Sequence, residues 1–106
     1  MLDVIIPTYK DVEGLKRTLA SIPERQDINI YIVDDCSGIE YPEDIQDKML
    51  ILDHNSGPGV ARQAGINNTK NPYIMFIDTG DYILPNSFST IMQTIKENPN
   101  VKVFSF

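Results

Sequence analysis

Four aspartates occur in two short segments, each directly after an apolar run. Asp34 and Asp35 follow residues 28–33, while Asp78 and Asp81 follow residues 73–77. Short apolar runs bounded by turn residues are typical of buried strands. Carboxylates gathered at one sheet edge repel one another unless they hold a divalent cation or bind a ligand that donates hydrogen bonds. The pattern predicts a polar ligand site, and the alternative is that each Asp only starts a turn or caps a helix.

A glycine-containing segment between these two clusters precedes a helical stretch. Residues 57–59 have the sequence Gly-Pro-Gly, and Arg62 lies in the first turns of the helix that follows. The free N–H groups of a helix N-terminus attract phosphate, and arginine binds phosphate through two parallel hydrogen bonds. An ion pair of Arg62 with Asp34, Asp35 or Asp78 explains the residue equally well. The segment is not a P-loop, because the Gly-Lys-Ser/Thr ending is absent.

The elements that must position these residues alternate between strand and helix. Hydrophobic periodicity predicts strands at residues 2–6, 28–33, 49–52, 73–77 and 101–106, main helices at 12–22, 60–66 and 85–95, and a short helix at 43–48. This order predicts an α/β, Rossmann-like, mostly parallel sheet with helices on both faces, comprising about five strands and three main helices. Ligands of such sheets bind at the carboxyl ends of the strands, where the acidic segments lie.

Composition excludes several classes of protein. The chain has 106 residues, 42% of them hydrophobic, which fits one globular domain. A formal net charge of −6 argues against a nucleic-acid partner. The single cysteine, Cys36, excludes an internal disulfide framework and favours a cytoplasmic location. A cytoplasmic location is compatible with membrane association of a longer parent protein. We expect Cys36 to be a small packed residue and the lone histidine, His54, to lie at a loop edge. No run approaches the roughly 20 apolar residues that span a bilayer.

Four motifs together resemble family 2 glycosyltransferases, which have the GT-A fold. Residues 4–10, Val-Ile-Ile-Pro-Thr-Tyr-Lys, are similar to that family's V-I-I-P-T-Y-N, and residues 33–37 to its V-D-D-x-S. Residues 55–65 resemble N-x-G-x-x-x-A-R-N-x-G, with Gln63 replacing the second Asn. Residues 76–81, followed by Pro85, resemble F-L-D-S-D-D-x-x-x-P. The motifs occur in the family's order and at its intervals across all of the chain.

The resemblance implies that a nucleoside diphosphate sugar binds at these motifs. The nucleotide-binding residues that it implies are Pro7, Thr8, Tyr9, Asp35, Arg62 and Asp78. An aromatic ring such as Tyr9 gains stacking energy from a flat base, and the alternative is a tyrosine at the edge of the core. The Asp35 carboxylate only accepts hydrogen bonds, so it would select a base edge that donates an N–H. We expect Asp34 to cap its loop or support Asp35.

The last motif departs from the family pattern at its middle carboxylate. Residues 78–81 are Asp-Thr-Gly-Asp, so Gly80 stands where the family usually has Asp. The resemblance implies a Mg²⁺ or Mn²⁺ cofactor that bridges the donor phosphates. Because Mg²⁺ accepts one or two carboxylates completed by phosphate and water, Asp81 could hold it, with Asp78 on the ribose or as a second ligand. Weak metal binding or a degenerate enzyme is the other interpretation.

The resemblance further implies an inverting transfer of sugar from a nucleoside diphosphate sugar to a glycan or lipid acceptor. We expect the donor to be a UDP-sugar. Family members supply the general base from a second half, which we expect beyond residue 106. The final apolar run reaches Phe106, and we interpret residues 1–106 as a nucleotide-sugar-binding domain that lacks the acceptor-binding half and is inactive alone. The alternatives are a non-catalytic binding module and a phosphorylated receiver domain. The receiver is disfavoured because its acidic pair should follow the first strand.

Overall fold

A computed structural model describes residues 2–71, 73–84 and 86–97, together with the backbone of Val103–Ser105. Five strands form one sheet in the order β3-β2-β1-β4-β5, and every neighbouring pair is parallel. The strands are β1 Leu2–Thr8, β2 Ile28–Asp34, β3 Met49–Ile51, β4 Tyr73–Phe76 and β5 Val103–Ser105. The helices are α1 Val12–Ser21, α2 Glu43–Gln46, α3 Pro58–Asn68 and α4 Ser87–Glu97.

Helices cover both faces of this sheet. Alternate residues of β1 point to opposite faces, so Val4 and Ile6 belong to one core cluster and Ile5 to the other. The larger cluster takes its helical members from α1, α2 and α4; the smaller one includes Ala61 of α3. The predicted α/β fold, with a parallel sheet and helices on both faces, is confirmed.

Helix α3 packs closely against the central strand because of a glycine. A Cβ atom placed on Gly65 would lie 2.5 Å from Cγ2 of Ile5, closer than real Cβ contacts allow. Gly65 is the last glycine of the motif at residues 55–65. It holds the first turns of α3 near the carboxyl ends of β1 and β2.

The prediction for the first strand was too short at its carboxyl end. Pro7 and Thr8 continue β1 and pair with Val33 and Asp34. Proline normally removes a ladder hydrogen bond from a central strand. Here β4 pairs only as far as Ile5, and the Pro7 carbonyl instead accepts the Thr79 hydroxyl at 2.7 Å. The missing N–H of Pro7 therefore leaves no strand partner unpaired.

Some predictions concern parts of the chain that are not described. They are the start of the last helix at Pro85, its stop at residues 98–100, and the outer residues of the strand predicted at 101–106. Among the helices of the described stretches, none is long and apolar enough to cross a membrane.

The order of the strands creates a crevice beside β1. From β1 the chain moves outward through β2 to β3, then returns to β4 on the other side and continues to β5. The connections after β1 and β4 thus leave in opposite directions. In open α/β sheets, ligands bind at such a switch point, beyond the carboxyl ends of the strands.

Candidate functional site

A cleft of about 320 Å³ lies at this switch point. Segments that are distant in sequence line it: Pro7, Thr8, Tyr9, Asp11, Asp35, Pro58, Ala61, Asp78 and Thr79. A larger open groove of about 970 Å³ runs past α1, α2 and the first residues of β2. The smaller cleft is the stronger candidate, because polar groups from several strand ends converge on it.

The loop after β2 is built around the buried carboxylate of Asp34. Its oxygens accept hydrogen bonds from the Ser37 N–H at 3.1 Å, the Ser37 hydroxyl and the Tyr41 hydroxyl at 2.9 Å. Burial raises the pKa of the Tyr41 phenol, which keeps this donor protonated at neutral pH. Asp34 therefore closes the loop, as expected, and takes no place on the cleft wall.

Asp35 links the end of β2 to the start of α3. One carboxylate oxygen accepts the Ser56 N–H at 2.8 Å, and the other accepts the Gly57 N–H at 2.9 Å. The side chain lines the cleft although the residue is only 6% exposed. These bonds fix its orientation and use two of the roughly four acceptor positions of a carboxylate.

Tyr9 lies at the mouth of the cleft and is 46% exposed. Lys10 follows it in a left-handed conformation, with φ of 52°, and donates its N–H to the Ser37 hydroxyl at 2.8 Å. The Lys10 ammonium lies 5.2 Å from the centre of the Tyr9 ring. An exposed ring at a cleft edge can stack on a planar ligand, so the alternative of a core-edge tyrosine is the weaker one.

Thr8 lines the cleft with a hydroxyl that is itself buried. The Thr8 Oγ1 makes no hydrogen bond among the described residues. It lies near the Tyr41 hydroxyl, but not in the geometry of a hydrogen bond. Thr8 therefore forms part of the cleft wall.

Gly80, which stands where the family usually has Asp, adopts a backbone conformation that favours glycine. Residues 78–81 form a turn closed by a hydrogen bond of 3.1 Å from the Asp81 N–H to the Asp78 carbonyl. Gly80 is the third residue of this turn and has φ of 97°, which a type II turn requires and which favours glycine. The Thr18 hydroxyl of α1 accepts a hydrogen bond from the Gly80 N–H and donates one to the Asp81 carbonyl. An aspartate at position 80 would have to adopt this strained conformation.

Arg62 and Asp78 meet across the rim of the cleft. Nη2 of Arg62 lies 2.8 Å from Oδ1 of Asp78, and both side chains are partly exposed. Sequence reasoning left Asp34, Asp35 and Asp78 open as partners. The other two carboxylates are engaged by the β2 loop and by backbone amides, and Asp78 is the one that pairs with Arg62.

The residues present fit a cation that the ligand completes, and not one held by protein alone. No group of three or more potential ligands among His, Cys, Asp and Glu occurs within the described residues. Asp81 is exposed, and Asp78 lies at the other end of the same turn. Mg²⁺ accepts such a sparse set when phosphate oxygens and water fill the remaining positions.

Sequence reasoning missed Asp11 as part of the cleft wall. One of its oxygens accepts the Gly14 N–H at 2.8 Å and caps α1, and the residue lines the cleft beside Asp78. The signal was an aspartate directly before a helical run, which predicts a cap. His54 is exposed, as expected, and Cys36 is only half-buried, with φ of 58°.

Comparison with known proteins identifies a family. Residues 3–105 match the family described as Glycosyl transferase family 2. A protein of Haemophilus influenzae named as an uncharacterized glycosyltransferase is 27% identical over 107 residues, which cover 95% of this chain and 36% of that protein. This chain thus spans about a third of that relative's length.

Solved structures of TarS from S. aureus share the fold. TarS 1–349 in complex with UDP superposes with a TM-score of 0.81 at 24% identity, over 92% of this chain and 32% of that chain. The same protein in complex with UDP-GlcNAc gives a TM-score of 0.77 at 25% identity, with the same shares of each chain.

Proposed function

Because this chain belongs to glycosyl transferase family 2, we propose that it forms the nucleotide-sugar-binding part of an inverting glycosyltransferase. The observation that carries the proposal is the cleft at the switch point. One exposed aromatic ring, three carboxylates and the start of a helix meet there, from segments far apart in sequence. This combination suits a base, a ribose and a diphosphate better than it suits an apolar ligand.

The base lies against Tyr9 and is recognised by Asp35. Asp35 is held by the Ser56 and Gly57 amides, so its direction is set before the ligand arrives. Its remaining acceptor capacity suits an N–H on the edge of the base. Uracil presents such a donor, and TarS binds UDP and UDP-GlcNAc. We therefore propose a UDP-sugar as the donor, with Pro7 and Thr8 forming the wall behind the base.

The diphosphate lies between α3 and the turn at residues 78–81. Pro58 and Ala61, in the first turns of α3, line the cleft, and the N–H groups of a helix start attract phosphate. Arg62 adds a guanidinium there, and Asp78 accepts hydrogen bonds from ribose hydroxyls. Asp81, with Asp78, would hold Mg²⁺ or Mn²⁺ brought in with the phosphates. Such a cation stabilises charge on the departing nucleoside diphosphate.

The acceptor and the catalytic base belong to the part of the relatives that this chain does not match. Inverting transfer needs a base that deprotonates an acceptor hydroxyl. We propose that residues 1–106 bind the donor, that a further domain binds a glycan or lipid acceptor, and that this chain alone does not turn over. The free cysteine, Cys36, supports a cytoplasmic location.

Calorimetric titration with UDP, with and without Mn²⁺, tests the proposal. We expect binding by the chain and a loss of about tenfold or more for Tyr9→Ala, since base stacking contributes ~1–3 kcal/mol. The matched control is Tyr82→Ala, which removes another exposed ring, 62% accessible, that does not line the cleft. Equal losses in both variants, or no UDP binding under either condition, would contradict the proposal.

A non-catalytic nucleotide-sugar-binding module is the alternative that the same titration distinguishes. UDP binding without any enhancement by Mn²⁺ would support it. The receiver alternative is not supported. Receivers have the strand order 2-1-3-4-5, whereas this sheet has 3-2-1-4-5 and its acidic pair follows β2.

A further inference from the structure

The three carboxylates that line the cleft differ in what holds them. The Asp35 carboxylate accepts hydrogen bonds from two backbone N–H groups, and the Asp11 carboxylate accepts one. Within the described part of the chain, the hydrogen-bond partner of the Asp78 side chain is a side chain, the guanidinium of Arg62 at 2.8 Å. Asp78 is also the residue at which both ribose and cation are expected. Its present partner, the Arg62 guanidinium, therefore competes with both for this carboxylate.

We propose that Arg62 keeps divalent cations away from Asp78 until a nucleoside diphosphate draws the guanidinium onto its phosphates. The inference rests on the proposed function and adds an order of events to it. Nucleotide binding creates the cation site, and the cation alone finds little to bind.

The charges at the rim support this exchange. A guanidinium in contact with Asp78 compensates its negative charge and repels a second cation. The pair is exposed on both sides, 38% for Arg62 and 53% for Asp78, so water screens it and the net attraction is weak. A diphosphate offers the N–H donors of the Arg62 guanidinium more negative charge and more acceptor oxygens than the Asp78 carboxylate does. The pair is thus stable in the empty cleft but easily exchanged.

The position of Arg62 on α3 makes the exchange local. Pro58 and Ala61, one turn or less before Arg62, already line the cleft, so phosphates drawn to the helix start arrive beside the guanidinium. Rotation of one long side chain then frees Asp78, while Asp81 at the other end of the turn stays exposed. No backbone movement is required.

Such an exchange couples the two ligands reciprocally. If nucleotide raises the affinity for the cation, the cation must raise the affinity for nucleotide by the same factor. Removing Arg62 should abolish the protection of Asp78 and reduce this factor. Simple attraction of cations to an acidic rim predicts no such dependence on one residue.

Electron paramagnetic resonance of free Mn²⁺ tests the inference without nucleotide or turnover. The chain is compared with Arg62→Met, with the double variant Arg62→Met/Asp78→Asn, and with Arg25→Met. Arg25 pairs with Asp27 at 2.8 Å in another partly exposed ion pair outside the cleft, so its variant removes the same charge elsewhere. We expect Arg62→Met to bind Mn²⁺ about fivefold or more tightly than the unchanged chain, with the gain lost in the double variant and absent in Arg25→Met.

Equal Mn²⁺ affinity in the unchanged chain and in Arg62→Met would overturn the inference, and so would an equal gain in Arg25→Met. UDP titration of the unchanged chain separates the two proposals. If UDP binds but Arg62→Met gains no Mn²⁺ affinity, the proposed function stands and only the order of events is wrong. Thermal unfolding of each variant verifies the fold, and Arg62→Gln serves as a second substitution.

Discussion

The two acidic loops at the carboxyl edge of the sheet are constructed in opposite ways. In the loop after β2, Asp34 is 2% exposed and accepts three hydrogen bonds, and Asp35 holds two backbone amides. In the loop after β4, Asp78 and Asp81 are exposed. The partner of the Asp78 side chain among the described residues is a long side chain, Arg62 of α3. The same residue type forms scaffold in one loop and an open rim in the other.

The difference teaches where the site can change when a ligand arrives. A carboxylate held by backbone amides keeps its direction, which suits recognition of a flat base. A carboxylate held by one exposed arginine can change partners at little cost. The loop after β2 therefore carries stability and orientation, and the loop after β4 carries exchange. Substitutions in the two loops should separate these properties.

The largest effect is expected at Asp34. Asp34→Ala leaves the buried Tyr41 hydroxyl and the Ser37 donors without their acceptor, and should lower the free energy of unfolding by about 3 kcal/mol. Urea denaturation measures this loss. Asp81→Ala, in the exposed loop, should change it by less than about 0.5 kcal/mol. Similar losses at both positions would remove the distinction between the loops.

A smaller effect is expected at Gly80, where the open loop has its own structural requirement. Gly80→Ala places a side chain at φ of 97° and should cost about 1–2 kcal/mol. Gly59→Ala, within α3 and with open space at its Cβ position, is the matched control and should be neutral or stabilising by up to ~1 kcal/mol. Thermal unfolding of both variants provides the measurement, and a neutral Gly80→Ala would contradict the assigned turn.

Tyr41 gives the buried loop a dependence on alkaline pH. Burial raises the pKa of its phenol above the ordinary value of 10.0. Stability from this group is therefore fully present below pH 10 and lost as pH rises through the folded-state pKa. Tyr41→Phe should cost about 1 kcal/mol at neutral pH, from the lost bond to Asp34, and should flatten the decline above pH 10. An unchanged decline above pH 10, measured by urea denaturation, would contradict this assignment.

The smallest stability effect is expected at the rim. Arg62→Met removes an exposed ion pair and should lower the free energy of unfolding by less than about 1 kcal/mol. Urea denaturation at low and high salt measures the effect, which should shrink further as salt rises. A loss comparable to that of Asp34→Ala would mean that the pair is scaffold, and the contrast between the loops would fail.

Hydrophobic periodicity and the order of the motifs were enough to predict the architecture. They did not predict which backbone groups would pair at the carboxyl ends of the strands. The mostly apolar runs at residues 2–6 and 28–33 predicted two strands, because short apolar runs bounded by turn residues are typical of buried strands. The extension of β1 through Pro7 depends on β4 stopping at Phe76, which is a tertiary fact. Likewise, the choice of Asp78 over Asp35 as partner of Arg62 depends on which carboxylates backbone amides already occupy.

Conformation explains the remaining differences. Glycine at position 80 was visible in the sequence, but its requirement for positive φ appears only once the turn and its bond to Thr18 are known. Asp11 was visible as a cap, but its place on the cleft wall appears only in the fold, where Asp35 and Asp78 line the same cleft. Propensity acts on neighbours in sequence, whereas both of these features arise between segments distant along the chain.

The central position of β1 has a consequence for synthesis on the ribosome. This strand is made before β2 to β5, yet one of its edges remains without a partner until Tyr73–Phe76 has emerged. All seven residues of the strand are buried in the finished sheet, and five of them are apolar. A nascent chain therefore exposes an unpaired edge of a mostly apolar strand until β4 has emerged, the arrangement that promotes association between chains. Prompt pairing with β2 halves that exposure, and early chaperone binding at residues 2–8 would protect the rest.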